Sequence, residues 1–420
     1  MSSPSIALET QRSDLPGLGL ALHGIGLFLS LVCGSIAAWG HGRFWTYPDS
    51  ESMVALCVLA YLLSAWITPR LVRFPGARSE LVVVGVLTLA FLGIVGVVAA
   101  LRLYYSRTFL PTAFLCALIA QIGIGRILRG RPGLFAVVPG GMAKSLEGLG
   151  RSDWLMLDRP ETHPNTRAVI ADLHAPLGED WLRFLAGCSI RGVPVYHAAV
   201  AYESVTGRIS VIHHSRADLE GFSMRPVYGE LKVILELALV AITTPLWLPI
   251  TLLVALAIKL ESRGPVLFWQ TRTGKGGKPF RMVKFRSMYL DAEDQGPSFA
   301  QENDARVTPI GRFIRRYRID ELPQIWNVLK GEMSLIGPRP EQLEFAATFE
   351  REVPMYAFRH LVRPGITGWA QVNQGYAEDT DETRIKLEHD LYYVKHLSFW
   401  LDMMIALRTL RTIATGFGSR

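Results

Sequence analysis

The sequence predicts a membrane protein of mixed α/β class, with a four-helix transmembrane bundle, a degenerate Rossmann-like α/β domain and a mostly helical C-terminal domain. Three observations predict it. Half of the 420 residues are hydrophobic and only 19% are charged, whereas an ordinary globular domain has about 25% charged residues. Long apolar runs cluster near the N-terminus, and short strand-like segments follow them. The composition excludes a disordered chain and a simple cytosolic enzyme.

Four apolar runs after a polar tail, 1–16, are long enough to span a bilayer, which takes about 20 residues. They lie at about 17–40, 52–69, 81–101 and 109–127, which assigns the bundle to 17–128. Basic residues favour the cytoplasmic side of a membrane. They concentrate after the second and fourth runs, at Arg70, Arg73, Arg78, Arg126, Arg129 and Arg131. We therefore expect both termini, and everything after residue 128, to be cytoplasmic.

The next segment, 132–215, alternates short apolar strands with helical stretches, as a small parallel α/β unit does. The predicted strands are Phe135–Val138, Trp154–Leu157, Ala168–Ala171 and Val193–Tyr196, and the predicted amphipathic helix is Glu179–Cys188. Pro139-Gly140-Gly141 follows the first strand in place of GxGxxG, which argues against a dinucleotide site. We interpret the segment as a degenerate, non-catalytic Rossmann-like domain. The pair His213-His214 lacks ligand-spaced partners and is interpreted as a surface loop.

A fifth apolar run, 231–260, is interrupted by Thr244-Pro245 and by Pro249. Proline removes a backbone donor and kinks a helix. Basic residues flank both ends of the run, so a spanning helix would place one basic cluster on the wrong side of the membrane. A re-entrant helix that enters the bilayer and returns satisfies both ends, with the Thr244 hydroxyl as a partner for the exposed backbone at the break. A proline-kinked fifth span is the alternative.

The C-terminal segment, 225–420, is basic, and its most informative stretch is 311–324. Four arginines there precede the adjacent carboxylates Asp320 and Glu321. Pro323 fits the first position of a helix, which would place the acid pair at a positive helix end that favours anions and phosphate. Helix capping by Asp320 explains the same pattern. The residues alone leave both interpretations open.

Two further basic elements belong to this segment. The strand-like stretch around 280–288 places Lys284 and Arg286 on one face. Later, Gly337-Pro338-Arg339-Pro340 holds an arginine between two prolines, and arginine suits bidentate phosphate binding. A turn with a surface arginine is the alternative for Arg339.

At these residues the chain resembles the bacterial sugar transferases, the polyprenyl-phosphate hexose-1-phosphate transferases. Within them it looks like the large monotopic class with four N-terminal spans, which initiates exopolysaccharide or O-antigen assembly. The matching strings are KFRSM (284–288), DELPQ (320–324), MSLIGPRP (333–340), RPGITGWAQVN (363–373) and KLEHDLYYVKHLSFWLD (386–402). The resemblance also implies re-entry of 231–260, because Thr244-Pro245 stands where the family breaks its re-entrant helix.

The resemblance implies a phosphoglycosyl transferase that moves a hexose 1-phosphate, of glucose or galactose, from a UDP-sugar to undecaprenyl phosphate and releases UMP. Asp320 would be the nucleophile that carries the phosphosugar, and Glu321 would be a metal ligand or a base. Together the two carboxylates would hold Mg²⁺ or Mn²⁺. By motif position, the residues that bind phosphate would be Arg315 and Arg339, supported by Lys284 and Arg286.

The implied location is the bacterial inner membrane, with a multi-pass chain and a cytoplasmic catalytic domain. The implied partners are the UDP-sugar, undecaprenyl phosphate, membrane lipids, downstream glycosyltransferases and a second copy of the chain. Nucleic acid is not expected, because phosphosubstrates and headgroups explain the cations. A non-catalytic membrane scaffold or regulator of polysaccharide assembly is the alternative, and the intact acid pair argues against it. A polytopic phosphosugar transferase would need more spans and aspartate-rich loops.

Overall fold

The structure, a computed structural model, describes residues 16–46, 50–128, 134–149, 153–211, 222, 226–289, 306–353, 355–374 and 380–415. The predicted loop pair His213-His214 lies outside the described residues. The chain divides into two compact units, Met1–Gly207 and Arg208–Arg420.

The first unit opens with four long apolar helices. They are α1 (Pro16–Trp39), α2 (Glu51–Leu71), α3 (Ser79–Leu101) and α4 (Phe109–Ile127). Their buried side chains form one hydrophobic cluster that includes Tyr61, Phe91 and Phe109. Many other leucines on the same helices are exposed, as they would be against lipid. These four helices and Val227–Glu261 are long and apolar enough to cross a membrane, judged by length and composition. The described chain is therefore that of a membrane-embedded protein.

The first unit continues as a parallel four-stranded sheet with helices on both faces. Its strands are β1 (Leu134–Val137), β2 (Trp154–Met156), β3 (Thr166–Ala171) and β4 (Val195–His197), in the order β2-β1-β3-β4. Its helices are α5 (Lys144–Glu147), α6 (Glu179–Ile190) and α7 (Ala198–Thr206). Successive strand residues point to opposite faces, so Phe135 packs in the cluster of α7 and Ala136 in that of α6. The four predicted strands and the predicted helix are confirmed.

The second unit begins with the long helix α8 (Pro226–Glu261), which contains Pro245 and Pro249. Its strands are the antiparallel pair β5 (Leu267–Thr273) and β6 (Pro279–Phe285) and the parallel pair β7 (Ser334–Ile336) and β8 (Gly365–Thr367). Its other helices are α9 (Pro309–Arg316), α10 (Ile325–Leu329), α11 (Leu343–Glu352), α12 (Trp369–Asn373), α13 (Thr380–Lys395) and α14 (Phe399–Thr415). Three 3-10 segments complete the described elements of this unit, at Lys275–Gly277, Ile319–Gln324 and Tyr356–Leu361. The predicted strand around 280–288 is confirmed as β6.

The N-terminal half of α8 is held by a buried polar cluster. Lys232 Nζ lies 2.7 Å from a carboxylate oxygen of Asp402 on α14 and 2.8 Å from Glu236 Oε1. The Ser334 hydroxyl, at the start of β7, donates to Glu236 Oε1 at 2.7 Å. Buried charges need such partners, because leaving them unpaired is costly. These contacts attach this part of α8 to the rest of the second unit.

The C-terminal end of α8 is attached through different residues. Ile258 packs with Phe285 and Ile314 in one hydrophobic cluster. The Glu261 carboxylate accepts a hydrogen bond from the backbone N–H of Ile310 at 2.8 Å. Exposed apolar side chains lie between the two attached ends, at Ile242, Leu246, Leu252 and Leu253. The helix is therefore anchored at both ends on one unit, with an apolar surface in its middle.

Candidate active site

The acid pair lies in the 3-10 segment Ile319–Gln324, which follows α9 and continues directly into α10. Arg318, just before the segment, has a left-handed backbone conformation with φ of 54°, which is uncommon for a residue with a side chain. The segment begins at Ile319, so Pro323 lies inside it and the predicted helix start at Pro323 is wrong. The capping position belongs to Arg318, which makes no side-chain capping bond. Capping by Asp320 is therefore not the reason for this carboxylate.

Three cations act on Asp320 from separate elements: Lys284 from β6, Arg315 from α9 and Arg339 from the loop after β7. Arg339 Nη2 donates to Glu321 Oε1 at 2.7 Å. The positive charges of all three cations reach Asp320. Tertiary structure thus brings together residues that stand up to 55 positions apart (339 − 284) in the sequence.

The two carboxylates differ in proton affinity. Burial and the neighbouring charge of Glu321 raise the pKa of Asp320 to about 7, against the attraction of the three cations. Burial also acts on Glu321, but Arg339 and Arg318 outweigh it and hold the pKa of Glu321 below its usual range. Adjacent carboxyls with unlike environments can take different roles. Glu321 stays charged near neutral pH, while Asp320 exchanges its proton there.

One oxygen of the pair is buried without a hydrogen-bond partner in the described part of the chain. Among the described residues, the buried Glu321 Oε2 has no hydrogen-bond partner, and Arg318 Nη1 approaches it only to 4.0 Å. A buried carboxylate oxygen without a donor is unfavourable. Mg²⁺ is commonly bound by one or two carboxylates together with substrate phosphates. Asp320 and Glu321 therefore fit a divalent cation.

Arg286 is placed differently from the other predicted cations. Its guanidinium donates to the backbone oxygens of Arg263 at 2.9 Å and Ser262 at 3.0 Å, and to the Ser262 hydroxyl at 2.7 Å. In a strand, Lys284 and Arg286 would lie on the same face, because side chains alternate between the two faces. Strand β6 ends at Phe285, so this alternation does not extend to Arg286. The structure assigns Arg286 to the attachment of α8 and does not bring it to the acid pair.

Near the predicted break of α8, two side chains donate to one backbone carbonyl. Thr244 Oγ1 donates to the backbone oxygen of Val240 at 2.8 Å, and the indole N–H of Trp247 donates to the same oxygen at 3.2 Å. Pro245 has no backbone N–H to contribute. The helix continues through Thr244 and Pro245, so the predicted break and the role of Thr244 in it stay predictions.

A buried arginine that sequence analysis missed supports the loop of Arg339. Arg359, in the segment Tyr356–Leu361, donates to the backbone oxygen of Arg339 at 2.9 Å and to Asp390 Oδ2 at 2.7 Å. The sequence does hold one indication of this pair. Asp390 is a charged residue within the largely apolar stretch LEHDLYYV, residues 387–394. A buried charge of this kind requires a partner, but the sequence does not say which one.

A second group of polar residues lies at the carboxyl end of the sheet in the first unit. Asp172, His174 and His197 each offer an atom within 4.8 Å of the others. However, His197 Nδ1 accepts a hydrogen bond from the backbone N–H of Ala199 at 3.1 Å. The proton of a neutral His197 therefore sits on Nε2, which faces His174 Nδ1 at 2.9 Å. A metal would need that nitrogen deprotonated, so the geometry favours a hydrogen-bonded pair.

Comparison with known proteins identifies the family. A family model for bacterial sugar transferases matches residues 227–416. The UDP-N-acetylgalactosamine-undecaprenyl-phosphate N-acetylgalactosaminephosphotransferase of Aeromonas hydrophila is 44% identical over 403 residues, 94% of this chain and 95% of that protein. This chain belongs to the bacterial sugar transferase family, and the resemblance stated from its motifs is confirmed.

Two other relatives match less than half of this chain. The UDP-glucose:undecaprenyl-phosphate glucose-1-phosphate transferase of Caulobacter vibrioides is 44% identical over 186 residues, 44% of this chain and 70% of that protein. The protein of the same name from Escherichia coli is 38% identical over 211 residues, 48% of this chain and 46% of that protein.

Proposed function

We propose that this chain transfers a hexose 1-phosphate from a UDP-sugar to undecaprenyl phosphate and releases UMP. This is the first membrane step in building an exopolysaccharide, a capsule or an O-antigen. The observation that carries the proposal is the acid pair Asp320-Glu321 held among three cations. The relatives are named for sugar-phosphate transfer between these two substrate classes.

Asp320 acts as the nucleophile in two displacements at one phosphorus. Its carboxylate oxygen attacks the phosphorus that bears the sugar, the bond to UMP breaks, and UMP leaves. An oxygen of undecaprenyl phosphate then attacks the same phosphorus and displaces Asp320, giving undecaprenyl diphosphosugar. Covalent catalysis divides one difficult displacement into two easier ones. The sugar C1–O bond is untouched, so the anomeric configuration is retained.

The other residues of the site bind charge. Arginine has five N–H donors in a planar fork, so Arg339 can hold Glu321 and a phosphate oxygen together. Lys284 and Arg315 neutralise further phosphate charge. Glu321 keeps its negative charge and offers Oε2 to a cation or to the acceptor's proton. Mg²⁺ or Mn²⁺, when bound by Asp320 and Glu321, would neutralise the diphosphate.

The donor sugar has two candidate classes. Glucose and galactose follow from the family resemblance. The Aeromonas relative, which matches nearly the whole chain, is named for UDP-N-acetylgalactosamine, whereas the relatives named for UDP-glucose match less than half of it. UDP-N-acetylgalactosamine is therefore the second candidate. A homodimer and downstream glycosyltransferases as partners stay predictions from the resemblance.

The experiment is UMP release by the purified chain in detergent or nanodiscs, with Mg²⁺ and undecaprenyl phosphate. The donors are UDP-glucose, UDP-galactose, UDP-N-acetylglucosamine and UDP-N-acetylgalactosamine. We expect release with one donor and its loss in Asp320→Asn. If folded protein releases no UMP with any of the donors, the result would favour the alternative of a non-catalytic membrane scaffold or regulator.

We further propose that α8 is re-entrant in the bacterial inner membrane, with both of its ends and the second unit on the cytoplasmic side. Support comes from Pro245 and Pro249 within the helix, from its attachment to the second unit at both ends, and from the apolar surface between them. A re-entrant helix would hold the acid pair at the bilayer surface, where a lipid phosphate and an aqueous nucleotide meet.

Cysteine labelling in intact cells tests this topology. The four native cysteines are first replaced (Cys33, Cys57, Cys116 and Cys188). Lys275→Cys, at an exposed turn after β5, should react with a membrane-impermeant maleimide only after the inner membrane is opened. Trp45→Cys, in the first predicted outer loop, is the control that should react without opening. Labelling at position 275 in intact cells would establish the fifth span.

A further inference from the structure

The short strand that leads to Arg339 is held by a side chain of the long helix α8. The Glu236 carboxylate accepts a hydrogen bond from the Ser334 hydroxyl at 2.7 Å and one from the backbone N–H of Ile336 at 3.3 Å. Ser334 begins β7 and Ile336 ends it. One carboxylate of α8 therefore contacts both ends of the strand from which the Arg339 loop, residues 337–340, leaves.

This contact is important to β7 because the strand is short. It pairs with β8 in parallel at two positions, Ser334 with Gly365 and Ile336 with Thr367, and parallel pairing is slightly less stable per residue than antiparallel pairing. Hydrogen bonds to a carboxylate are charge-assisted and roughly twice as strong as neutral ones. The Glu236 side chain is only 12% exposed, so water competes weakly for these bonds. Glu236 is therefore a principal support of β7.

The Arg339 loop is stiff, so its position depends on the end of β7. Pro338 and Pro340 have nearly fixed φ angles. Gly337 packs so closely on the chain before β8 that a Cβ atom added there would lie 2.4 Å from the backbone oxygen of Arg363. This packing leaves the loop little room to readjust. A displacement of β7 therefore reaches Arg339 and is not absorbed on the way.

The side chain that this loop carries belongs to the acid-pair site. Arg339 Nη2 donates to Glu321 Oε1 at 2.7 Å, and the positive charge of Arg339 reaches Asp320. A misplacement of about 1 Å at a reacting centre can cost about 100-fold in rate. A continuous set of contacts thus runs from Glu236 through β7 and Arg339 to the acid pair.

We infer that Glu236 is a positioning residue for sugar-phosphate transfer, because it holds β7 and through β7 places the Arg339 guanidinium at the acid pair. The inference rests on the proposed function and deepens it. Lys232, one helical turn before Glu236, pairs with that carboxylate and with Asp402 of α14, so Glu236 is itself fixed in place. Since Glu236 belongs to α8, the phosphate site is assembled correctly only when this helix is seated in the second unit.

A double-mutant cycle with Arg339 tests the inference. Glu236→Ala removes both hydrogen bonds to β7, while Lys232 keeps its partner Asp402. It should lower kcat/KM for the UDP-sugar about tenfold, within the cost of a misplacement of about 1 Å. In an Arg339→Ala background the same change should have no further effect, because the two residues act through one contact. Glu236→Gln keeps an acceptor oxygen for β7 and should recover most of the loss, and Glu230→Ala, at an exposed glutamate of α8, should match the wild type.

Hydrogen–deuterium exchange follows the strand itself and needs no turnover, because the exchange of a backbone amide reports local opening. In Glu236→Ala the amides of Ile336 and Gly337 should exchange faster than in the wild type. The amides of β6 should exchange at the wild-type rate, which would show that the second unit as a whole stays folded.

The inference is overturned by unchanged kcat/KM in Glu236→Ala, by unchanged exchange at Ile336, or by faster exchange throughout the second unit. It is also overturned if the effect of Glu236→Ala multiplies with that of Arg339→Ala, since independent sites add in free energy. The proposed function can fail separately. If the wild type releases no UMP while Glu236→Ala still speeds exchange at Ile336, the proposed reaction is wrong and the support of β7 by Glu236 stands.

Discussion

Two arginine–carboxylate pairs in the second unit have the same 2.7 Å length and different surroundings. Arg359 and Asp390 are fully buried, with side chains 4% and 1% exposed. Arg339 and Glu321 lie in the acid-pair site, with side chains 28% and 8% exposed. Arg359 also donates to the backbone oxygen of Arg339, so the first pair lies directly behind the second.

The buried pair belongs to a network in which carboxylates and cations balance. Glu341 lies 3.8 Å from Arg359 and forms an ion pair with Lys386. Although burial opposes ionisation, these cations lower the pKa of Glu341 to about 2.

At the acid pair, the pKa of Asp320 is raised, and Glu321 keeps an oxygen without a hydrogen-bond partner among the described residues. Burial raises the pKa of Asp390 too, and Arg359 Nε also has no partner in the described part of the chain. What separates the two pairs is exposure. Arg359 and Asp390 are sealed from solvent, whereas the side chain of Arg339 is 28% exposed and can reach a substrate.

The largest expected effect is at Asp320. Asp320→Asn keeps the shape of the side chain but removes the nucleophilic oxygen, so UMP release and the phosphosugar–enzyme intermediate should both disappear. Turnover assays and mass spectrometry of the intact protein measure the two losses. Asp180→Asn, the same change at an exposed aspartate of α6, should have no effect. Normal turnover in Asp320→Asn would end the nucleophile hypothesis.

Breaking the buried pair should affect stability first. Arg359→Met leaves Asp390 buried without its cation, which costs about 3–5 kcal/mol in comparable cases. The variant should unfold at a clearly lower temperature in detergent, and Arg359→Lys should recover part of the loss. If Arg359→Met unfolds like the wild type, the contrast between the two regions is wrong.

Breaking the pair of Arg339 and Glu321 should affect catalysis first. Arg339→Ala should lower kcat/KM for the UDP-sugar by about 10- to 150-fold, corresponding to about 1.5–3 kcal/mol for a hydrogen bond to a charged group. Its unfolding temperature should fall less than that of Arg359→Met, because Arg318 and Lys284 still act on Glu321. Arg312→Ala, at an exposed arginine of α9, is the control. If kcat/KM for the UDP-sugar is unchanged in Arg339→Ala, Arg339 is only a surface arginine in a turn.

The smallest expected effect is a pH dependence of the first displacement. Attack needs the ionised form of Asp320, whose pKa is raised to about 7. The carboxylate therefore gains a proton as pH falls, and kcat/KM for UDP-sugar should drop about tenfold per pH unit below the pKa. In Glu321→Gln the inflection of the residual activity should move to lower pH, because a like charge is removed. A flat wild-type profile between about pH 5.5 and 8 would contradict this assignment.

The sequence by itself determined the elements whose signal is local. The four apolar helices, the strands β1 to β4 and helix α6 follow from hydrophobic runs and periodicity within each segment. The acid pair and its cations Lys284, Arg315 and Arg339 were predicted from short sequence motifs. These features depend on neighbouring residues, which the sequence shows directly.

Only the tertiary structure decided which distant residues meet. Arg286 faces Ser262 because β6 ends at Phe285, and Arg359 meets Asp390 across 31 positions. The packing of separate elements determines which residues pair with a buried charge. The sequence around a charged residue does not identify these partners. The raised pKa of Asp320 has the same origin, because burial and surrounding charges exist only once the chain has folded.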